Sequence, residues 1–218
     1  MVRKILLVGG ILSSLLYVST VVLAPMRWEG YSSTSQTVSE LIAIDAPTKP
    51  LVVPLFILYS VLVYAFGWGV WGSAGRKRAL HFTAVGLIGK EVLGLVATLF
   101  FPMHLRGVEG TLTDTMHAIL AMVGVLFMLF AIGCGATAFG KRFRLYSIAT
   151  ILLLVVGGTL AGLDAPRLQA NLPTPWMGVT ERINIYAYML WVVVLSITLL
   201  RDQVEQSKDG SEVRRDFG

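Results

Sequence analysis

The sequence predicts an all-α polytopic membrane protein, a single bundle of six transmembrane helices with both termini in the cytoplasm. The first observation is composition: 55% of the 218 residues are hydrophobic and only 14% are charged, whereas soluble domains have about 25% charged residues. The second is that six apolar runs each approach the length of about 20 residues with which a helix crosses a bilayer. A water-soluble fold is excluded, because a globule cannot hide so much apolar surface.

The predicted spans cover, in order, residues 4–24, 50–72, 79–101, 116–139, 145–163 and 184–200. The first span follows Arg3 and Lys4, an arrangement that a signal peptide also has. Its apolar run of about 20 residues is longer than a signal core, and it lacks a small-residue cleavage site at its end. We therefore expect it to be retained, so that residues 1–200 form one transmembrane domain.

The connections between the spans alternate in charge, and this predicts the orientation. Short, purely basic connections at 73–78 and 140–144 alternate with longer, mixed ones at 102–115 and 164–183. Of the 18 Lys and Arg residues, 12 lie with the basic connections and the termini, 5 lie on the other side, and Lys90 lies within a span. Because Lys and Arg collect on the cytoplasmic side, we expect a multi-pass protein of the cell inner (plasma) membrane.

The net charge of +5 does not indicate a nucleic-acid partner, because no basic stretch is interleaved with aromatic residues. Cytoplasmic connections of membrane proteins collect positive charge in any case. The expected partners are membrane lipids and a lipid or small-molecule ligand from the outer side. The charged segment 201–218 predicts a disordered cytoplasmic tail.

A polar segment at 25–49 follows the first span and predicts a short helix at the membrane surface. Thr37 and Glu40 have the spacing of a capping box, and four apolar residues follow them. Asp45 and Pro47 are expected to end this helix.

Six stretches of the chain together resemble a known family. They are SELIAIDAPTKPLVVPLFILYS, FPMHLRG, TLTDTMH, RFRLYSIAT, APRL and LPTPWMGVTERINIY. The family is a large bacterial one of six-helix integral membrane proteins, catalogued as domain of unknown function nine-nine-eight. The resemblance covers nearly the whole chain from Pro25 to Arg201. It implies six spans and a bacterial membrane, and it implies no reaction and no catalytic residues.

The connection FPMHLRGVEGTLTDTMH, at 101–117, holds two of the three histidines and suggests a metal site. His104, Asp114 and His117 have the ligand types of a catalytic zinc centre. With Glu40 or Asp45 as base, they would give a metal-dependent membrane hydrolase acting on a lipid-like substrate. The alternative is structural: the pattern from Thr111 to Asp114 is also a capping box that starts the fourth span.

Further polar residues are expected on the same outer face and suggest a ligand-binding or sensing pocket. They are Arg106, Asp164, Glu181 and Arg182. Arg182 is predicted to reach the outer carboxylates, and an Arg–carboxylate pair would be bidentate and geometrically specific. Such a pair would equally serve only to hold the outer connections together.

Lys90 and Glu91 lie near the middle of the third span. A charge there costs about 2.5–3.5 kcal/mol, so each needs a partner from protein or water. Adjacent residues point about 100° apart on a helix, so we do not expect the two to be each other's ideal partner. Hydroxyls such as those of Tyr17 and Tyr59 are candidates. The pair would extend a ligand pocket, serve a proton-coupled small-molecule carrier, or only fix the helix register.

The sequence thus predicts an integral membrane protein of unknown biochemical function with a candidate ligand pocket on its outer face. The membrane hydrolase and the carrier are the alternatives, with zinc as the cofactor of the first. Whether the protein is an enzyme stays open at this point.

Overall fold

The computed structural model describes residues 2–170 and 172–216, with side chains to Val204 apart from that of Gln169. This part of the chain consists of six long helices without a strand: α1 Val2–Leu23, α2 Lys49–Ser73, α3 Arg78–Phe100, α4 Leu112–Ala138, α5 Lys141–Gln169 and α6 Met177–Asp216. Each contains an apolar stretch long enough to cross a membrane. The prediction of an all-α, six-span membrane protein is confirmed.

The helix boundaries follow local signals in the sequence. Pro50 lies in the first turn of α2, where its missing N–H has no intrahelical partner to lose. The predicted capping box starts α4, since Thr111 and Asp114 exchange side-chain and backbone hydrogen bonds. Helix α6 begins at Met177 rather than at residue 184. Its apolar part ends at Val204 and the helix ends at Asp216, while the predicted disorder of 201–218 stays a prediction.

The larger apolar core lies between the helices, and its largest fully buried side chains include Phe66, Leu87 and Trp191. The indole N–H of Trp191 donates to Ser147 Oγ at 2.9 Å, so the buried ring leaves no orphan donor. Helices α4 and α5 are the least covered: 22% and 17% of their most apolar stretches are buried, against 33% or more for the other four. They present the widest surface to lipid.

The three longer connections, at 24–48, 101–111 and 170–176, meet at one end of the bundle, called here the loop-rich end. The first contains two 3₁₀ turns, Ala24–Arg27 and Ser39–Ile42, and the second turn replaces the α-helix expected there. The N–H of Ile44 donates to Met103 O at 2.8 Å, and the N–H of Val179 donates to Thr34 O at 3.1 Å. These bonds join the first connection to the second and to α6. That this end faces outwards stays a prediction.

Candidate functional site

A buried carboxylate at the loop-rich end, Glu40, forms a bidentate pair with Arg106. Its side chain is 0% exposed, and Arg106 donates from Nε at 2.6 Å and from Nη2 at 3.0 Å. Thr37 adds its backbone N–H at 2.6 Å and its hydroxyl at 3.1 Å, and Gln36 adds its amide at 3.3 Å. The Thr37 N–H bond is one half of the predicted capping box. With five hydrogen bonds, this carboxylate is saturated.

Arg106 also joins the three connections. Its Nη1 donates to Thr174 Oγ1 at 2.7 Å and its Nη2 to Ser35 O at 2.6 Å. All three guanidinium nitrogens are therefore used within the protein. The Glu40 carboxylate thereby has the bonding of a structural anion, and its role as a catalytic base stays a prediction.

Arg182 does not make the predicted contact with a carboxylate. Its Nη1 donates to the carbonyls of Ser33, Gln36 and Gly178, and its Nη2 donates to Tyr31 Oη at 2.7 Å. Burial raises the pKa of Tyr31 to about 12, although the Arg182 charge opposes the rise. The bidentate pair expected for Arg182 is made by Arg106 instead.

Gly178 allows the start of α6 to lie against the first connection. A Cβ at this position would lie 2.6 Å from Ser33 O and closer still to Gln36 O. Both are backbone atoms that a side chain could not displace without moving the connection. The glycine thereby sets the position of Glu181, one turn further along α6.

The three proposed zinc ligands do not converge. His104 pairs with Asp114, whose Oδ2 lies 2.8 Å from His104 Nδ1 and whose Oδ1 accepts the His104 backbone N–H at 2.6 Å. His117 uses its Nδ1–H on Phe101 O at 2.9 Å, and its Nε2 lies 3.1 Å from Ser39 Oγ. Within the described residues, no group of three or more His, Cys, Asp or Glu side chains is placed to hold a metal ion.

A cavity of about 270 Å³, the loop cavity, lies at the loop-rich end among the second connection, α4, α5 and α6. Most of its wall is apolar, with Met103, Leu105, Ala118, Ala165 and Leu168 among the lining residues. Its polar lining residues are Thr37, Ser39, His104, Arg106, Asp114, His117 and Glu181. An apolar wall with a few convergent polar groups is the usual form of a small-molecule site.

A second cavity of about 130 Å³, the helix cavity, lies deeper, between α1, α2, α3 and α4. Tyr17, Tyr59, Ser60, Lys90 and Glu91 line it, together with apolar residues. Ser39, His117 and Glu181 line both cavities. The two cavities therefore adjoin at these three side chains.

Lys90 and Glu91 are partners of each other, contrary to the prediction. Lys90 Nζ lies 3.1 Å from Glu91 Oε2 and donates to Tyr59 Oη at 3.2 Å. The ammonium also lies 5.3 Å and 5.7 Å from the ring centroids of Tyr59 and Tyr188, which are favourable cation–π distances. The prediction was wrong because it considered only the directions of the two Cβ atoms. The lysine side chain is long enough to bring its ammonium group to the Glu91 carboxylate all the same.

Glu91 is 3% exposed, and its second oxygen accepts a short hydrogen bond from Ser60 Oγ. The pair is thus charge-balanced and hydrogen-bonded at the edge of the helix cavity, which is the condition for keeping ions in a membrane helix.

Glu181 has fewer hydrogen-bond partners than Glu40 and Asp114, the other two acidic side chains that pair with groups of the connections. Its Oε2 accepts the Val38 N–H at 2.6 Å, and no other described group bonds its side chain. It forms no ion pair with Arg182 in the part of the chain that the structure describes. Glu181 is therefore the unsaturated carboxylate that lines both cavities.

Two predicted site residues lie away from the cavities. Asp45 is exposed in the first connection, in a left-handed conformation with φ of 64°. Asp164 lies on α5 and approaches Arg167 at 3.9 Å. Neither lines the loop cavity or the helix cavity, and their roles as base and ligand contact stay predictions.

Sequence reasoning missed Ser39, Ser60 and Thr174. Ser60 carried a usable signal. The second and third spans are antiparallel neighbours, and Ser60 and Glu91 lie at equal distances from the connection that joins these spans. Ser39 and Thr174 carried none, since their contacts are with residues far away in the chain, His117 and Arg106.

Comparison with known proteins bears on the chain as a whole rather than on single site residues. No curated protein and no solved structure matches it. A family model described as "Protein of unknown function (DUF998)" matches residues 11–198, which is most of the chain. This match confirms the resemblance predicted from the motifs. The chain therefore belongs to the DUF998 family.

Proposed function

We propose that this multi-pass membrane protein binds a small amphipathic ligand in the loop cavity. The observation that carries the proposal is the composition of that cavity. Its wall is apolar, and at its boundary with the helix cavity lies the Glu181 carboxylate, which has one hydrogen-bond partner among the described residues. Ligand sites are typically mostly apolar, with a few polar groups that fix orientation. The Lys/Arg distribution supports an outward-facing cavity in the inner (plasma) membrane.

The other polar groups of the cavity support binding rather than catalysis. Asp114 is held by His104 and by the Thr111 cap, and Arg106 is held by Glu40. These side chains are fixed in place by bonds within the protein. The bonds of Arg106 to Glu40, Thr174 and Ser35 join the three connections and hold this wall in place.

Filling the cavity tests the proposal. Ala165 lines the loop cavity, whereas Ala149 of the same helix is exposed and lines neither cavity. We expect Ala165→Phe to weaken the binding of phenethyl alcohol to protein in phosphatidylcholine nanodiscs about tenfold or more, with Ala149→Phe as the matched control. Equilibrium dialysis of labelled phenethyl alcohol measures this. Absence of binding to the wild type, or equal binding by both variants, would contradict the proposal.

A proton-coupled small-molecule carrier is the second candidate function, favoured by the Lys90–Glu91 pair beside the helix cavity. Because Ser39, His117 and Glu181 line both cavities, a ligand in the loop cavity would lie next to the space that reaches this pair. In proteoliposomes, a pH gradient would then drive uptake of phenethylamine. Glu91→Gln would abolish the uptake while leaving equilibrium binding unchanged. Equal uptake with and without the gradient would exclude this candidate.

A further inference from the structure

Glu181 has an unused hydrogen-bond acceptor in the loop cavity. Its Oε1 has no bond to any described residue, and its side chain lines the cavity. His104 also lines the cavity, and its Nδ1 lies against Asp114 Oδ2. A ligand that satisfies the Glu181 carboxylate has to supply donors.

Arg106, the arginine that lines the loop cavity, already has partners within the protein. The guanidinium of Arg106 uses its Nε, Nη1 and Nη2 on Glu40, Thr174 and Ser35. Arg182 binds the first connection and lines neither cavity. An anionic ligand would be repelled by Glu181, whereas Arg106 and, in the adjoining helix cavity, Lys90 are already paired with Glu40 and Glu91.

Because Glu181 has a free acceptor and no cationic partner among the described residues, we infer that the ligand is a protonated amine with an apolar body, whose ammonium group binds Glu181. This inference rests on the proposed function and names the ligand class for the same cavity. Glu181 is half-buried and belongs to no ion pair among the described residues. A carboxylate withdrawn from water gains from a counter-charge, and an ammonium supplies both the charge and the donors. Hydrogen bonds to charged groups are also the stronger kind.

The sizes of the two cavities set the orientation of the ligand. Glu181 lies where they adjoin, and the loop cavity is the larger, at about 270 Å³ against about 130 Å³. The ammonium group sits at Glu181, and the apolar body lies against Leu105, Ala118 and Leu168 on the loop-cavity side. A single aromatic ring or a short alkyl chain suits this space, because drug-sized ligands occupy pockets of about 300–1,000 Å³.

Phenethylamine and phenethyl alcohol test the inference, because they share an apolar body and differ in the charged group. We expect wild-type protein in phosphatidylcholine nanodiscs to bind the amine about tenfold more tightly than the alcohol. Glu181→Gln removes that preference, so that the affinity for the amine falls to about that for the alcohol. The glutamine retains an oxygen for the Val38 N–H, and Glu29→Gln, at an exposed acid of the first connection, is the matched control.

The outcomes separate the inference from the proposed function. If the alcohol binds and the amine binds no more tightly, the inference fails and the proposed function stands. If neither compound binds the wild type, both fail. An equal loss of amine affinity in Glu29→Gln, or an unchanged amine affinity in Glu181→Gln, would also overturn the inference. The comparison of the two compounds on wild-type protein needs no variant to fold.

The amine could come from a membrane lipid headgroup or from a free small molecule, and the bilayer composition distinguishes these sources. Replacing part of the phosphatidylcholine by phosphatidylethanolamine leaves phenethylamine binding unchanged if the site takes free amines. Loss of phenethylamine binding in that bilayer assigns the same site to the lipid amine. Both results retain Glu181 as the ammonium partner.

Discussion

Two carboxylates at the loop-rich end, Glu40 and Glu181, have opposite environments. Glu40 is fully buried and accepts five hydrogen bonds, two of them from Arg106. Glu181 accepts one within the described part of the chain, from the Val38 N–H, and lines both cavities. From this difference we propose separate roles: the saturated carboxylate holds the connections together, whereas the unsaturated one beside a cavity binds a ligand.

Breaking the saturated site at Arg106 is expected to have the largest effect on stability. Arg106→Met leaves Glu40 buried without a counter-charge, and removal of one partner of a buried pair costs about 3–5 kcal/mol. Thermal unfolding in detergent, followed by tryptophan fluorescence, measures the loss. Arg167→Met is the control, because this more exposed pair at 3.9 Å from Asp164 should contribute about 1 kcal/mol or less. Similar unfolding temperatures for the two variants would contradict the claim that the Arg106–Glu40 pair stabilises the protein.

The Lys90–Glu91 pair, within the membrane-spanning helices, combines both features, because its carboxylate is hydrogen-bonded and also lines the helix cavity. Lys90→Met leaves Glu91 uncompensated, and we expect a loss of about 3 kcal/mol, at the lower end for buried pairs, because the Lys90 side chain is 16% exposed. The double variant Lys90→Met/Glu91→Gln should recover part of that loss, since no charge stays buried. Additive losses from the two substitutions would show that the residues do not interact.

A methyl group at Gly178 is expected to displace the start of α6 and, with it, the carboxylate of Glu181. Gly178→Ala would press against two backbone carbonyls of the first connection, and overpacking of this kind costs about 1–3 kcal/mol. Because Glu181 lies one turn away, amine binding should weaken as well. Gly162→Ala has open space around its Cβ position and should leave the unfolding temperature unchanged or slightly raised. An unchanged unfolding temperature in Gly178→Ala would contradict the claim that close packing at Gly178 stabilises the protein.

The smallest effect is expected at His104, whose pair with Asp114 is partly exposed. The two side chains are 24% and 25% accessible, so His104→Ala should cost about 1 kcal/mol or less. Asp114 retains its bond from the Thr111 N–H, which keeps the α4 cap. Asp114→Ala removes the bonds from the His104 ring and backbone together with the Thr111 cap, and should lower the unfolding temperature further. Equal unfolding temperatures for the two variants would show that the cap contributes nothing.

The helical part of the fold was predictable because its causes are local. A bilayer demands long apolar helices, and each span carries that signal in its own residues. The α4 cap was also predictable, since Thr111 and Asp114 are three residues apart and bond only each other and near neighbours. The first turns of α6 were missed because residues 177–183 carry polar groups that bind the connections rather than face lipid.

The site was predictable in its membership but not in its pairing. Glu40, Arg106 and Glu181 were all identified as polar residues of one face. Which carboxylate meets which arginine depends on how distant connections fold over one another, as with Arg106 and Glu40. The Lys90–Glu91 pair failed for a different reason: backbone geometry gives the direction of Cβ, whereas a long side chain decides where the charge lies.

The most direct test of the account is the same substitution at both carboxylates. Glu40→Gln places an amide against the Arg106 donors and should lower the unfolding temperature strongly while leaving the amine-over-alcohol preference intact in the folded fraction. Glu181→Gln should leave the unfolding temperature nearly unchanged and abolish that preference. If Glu181→Gln destabilised the protein as much as Glu40→Gln, Glu181 would be a structural residue and the central claim would be wrong.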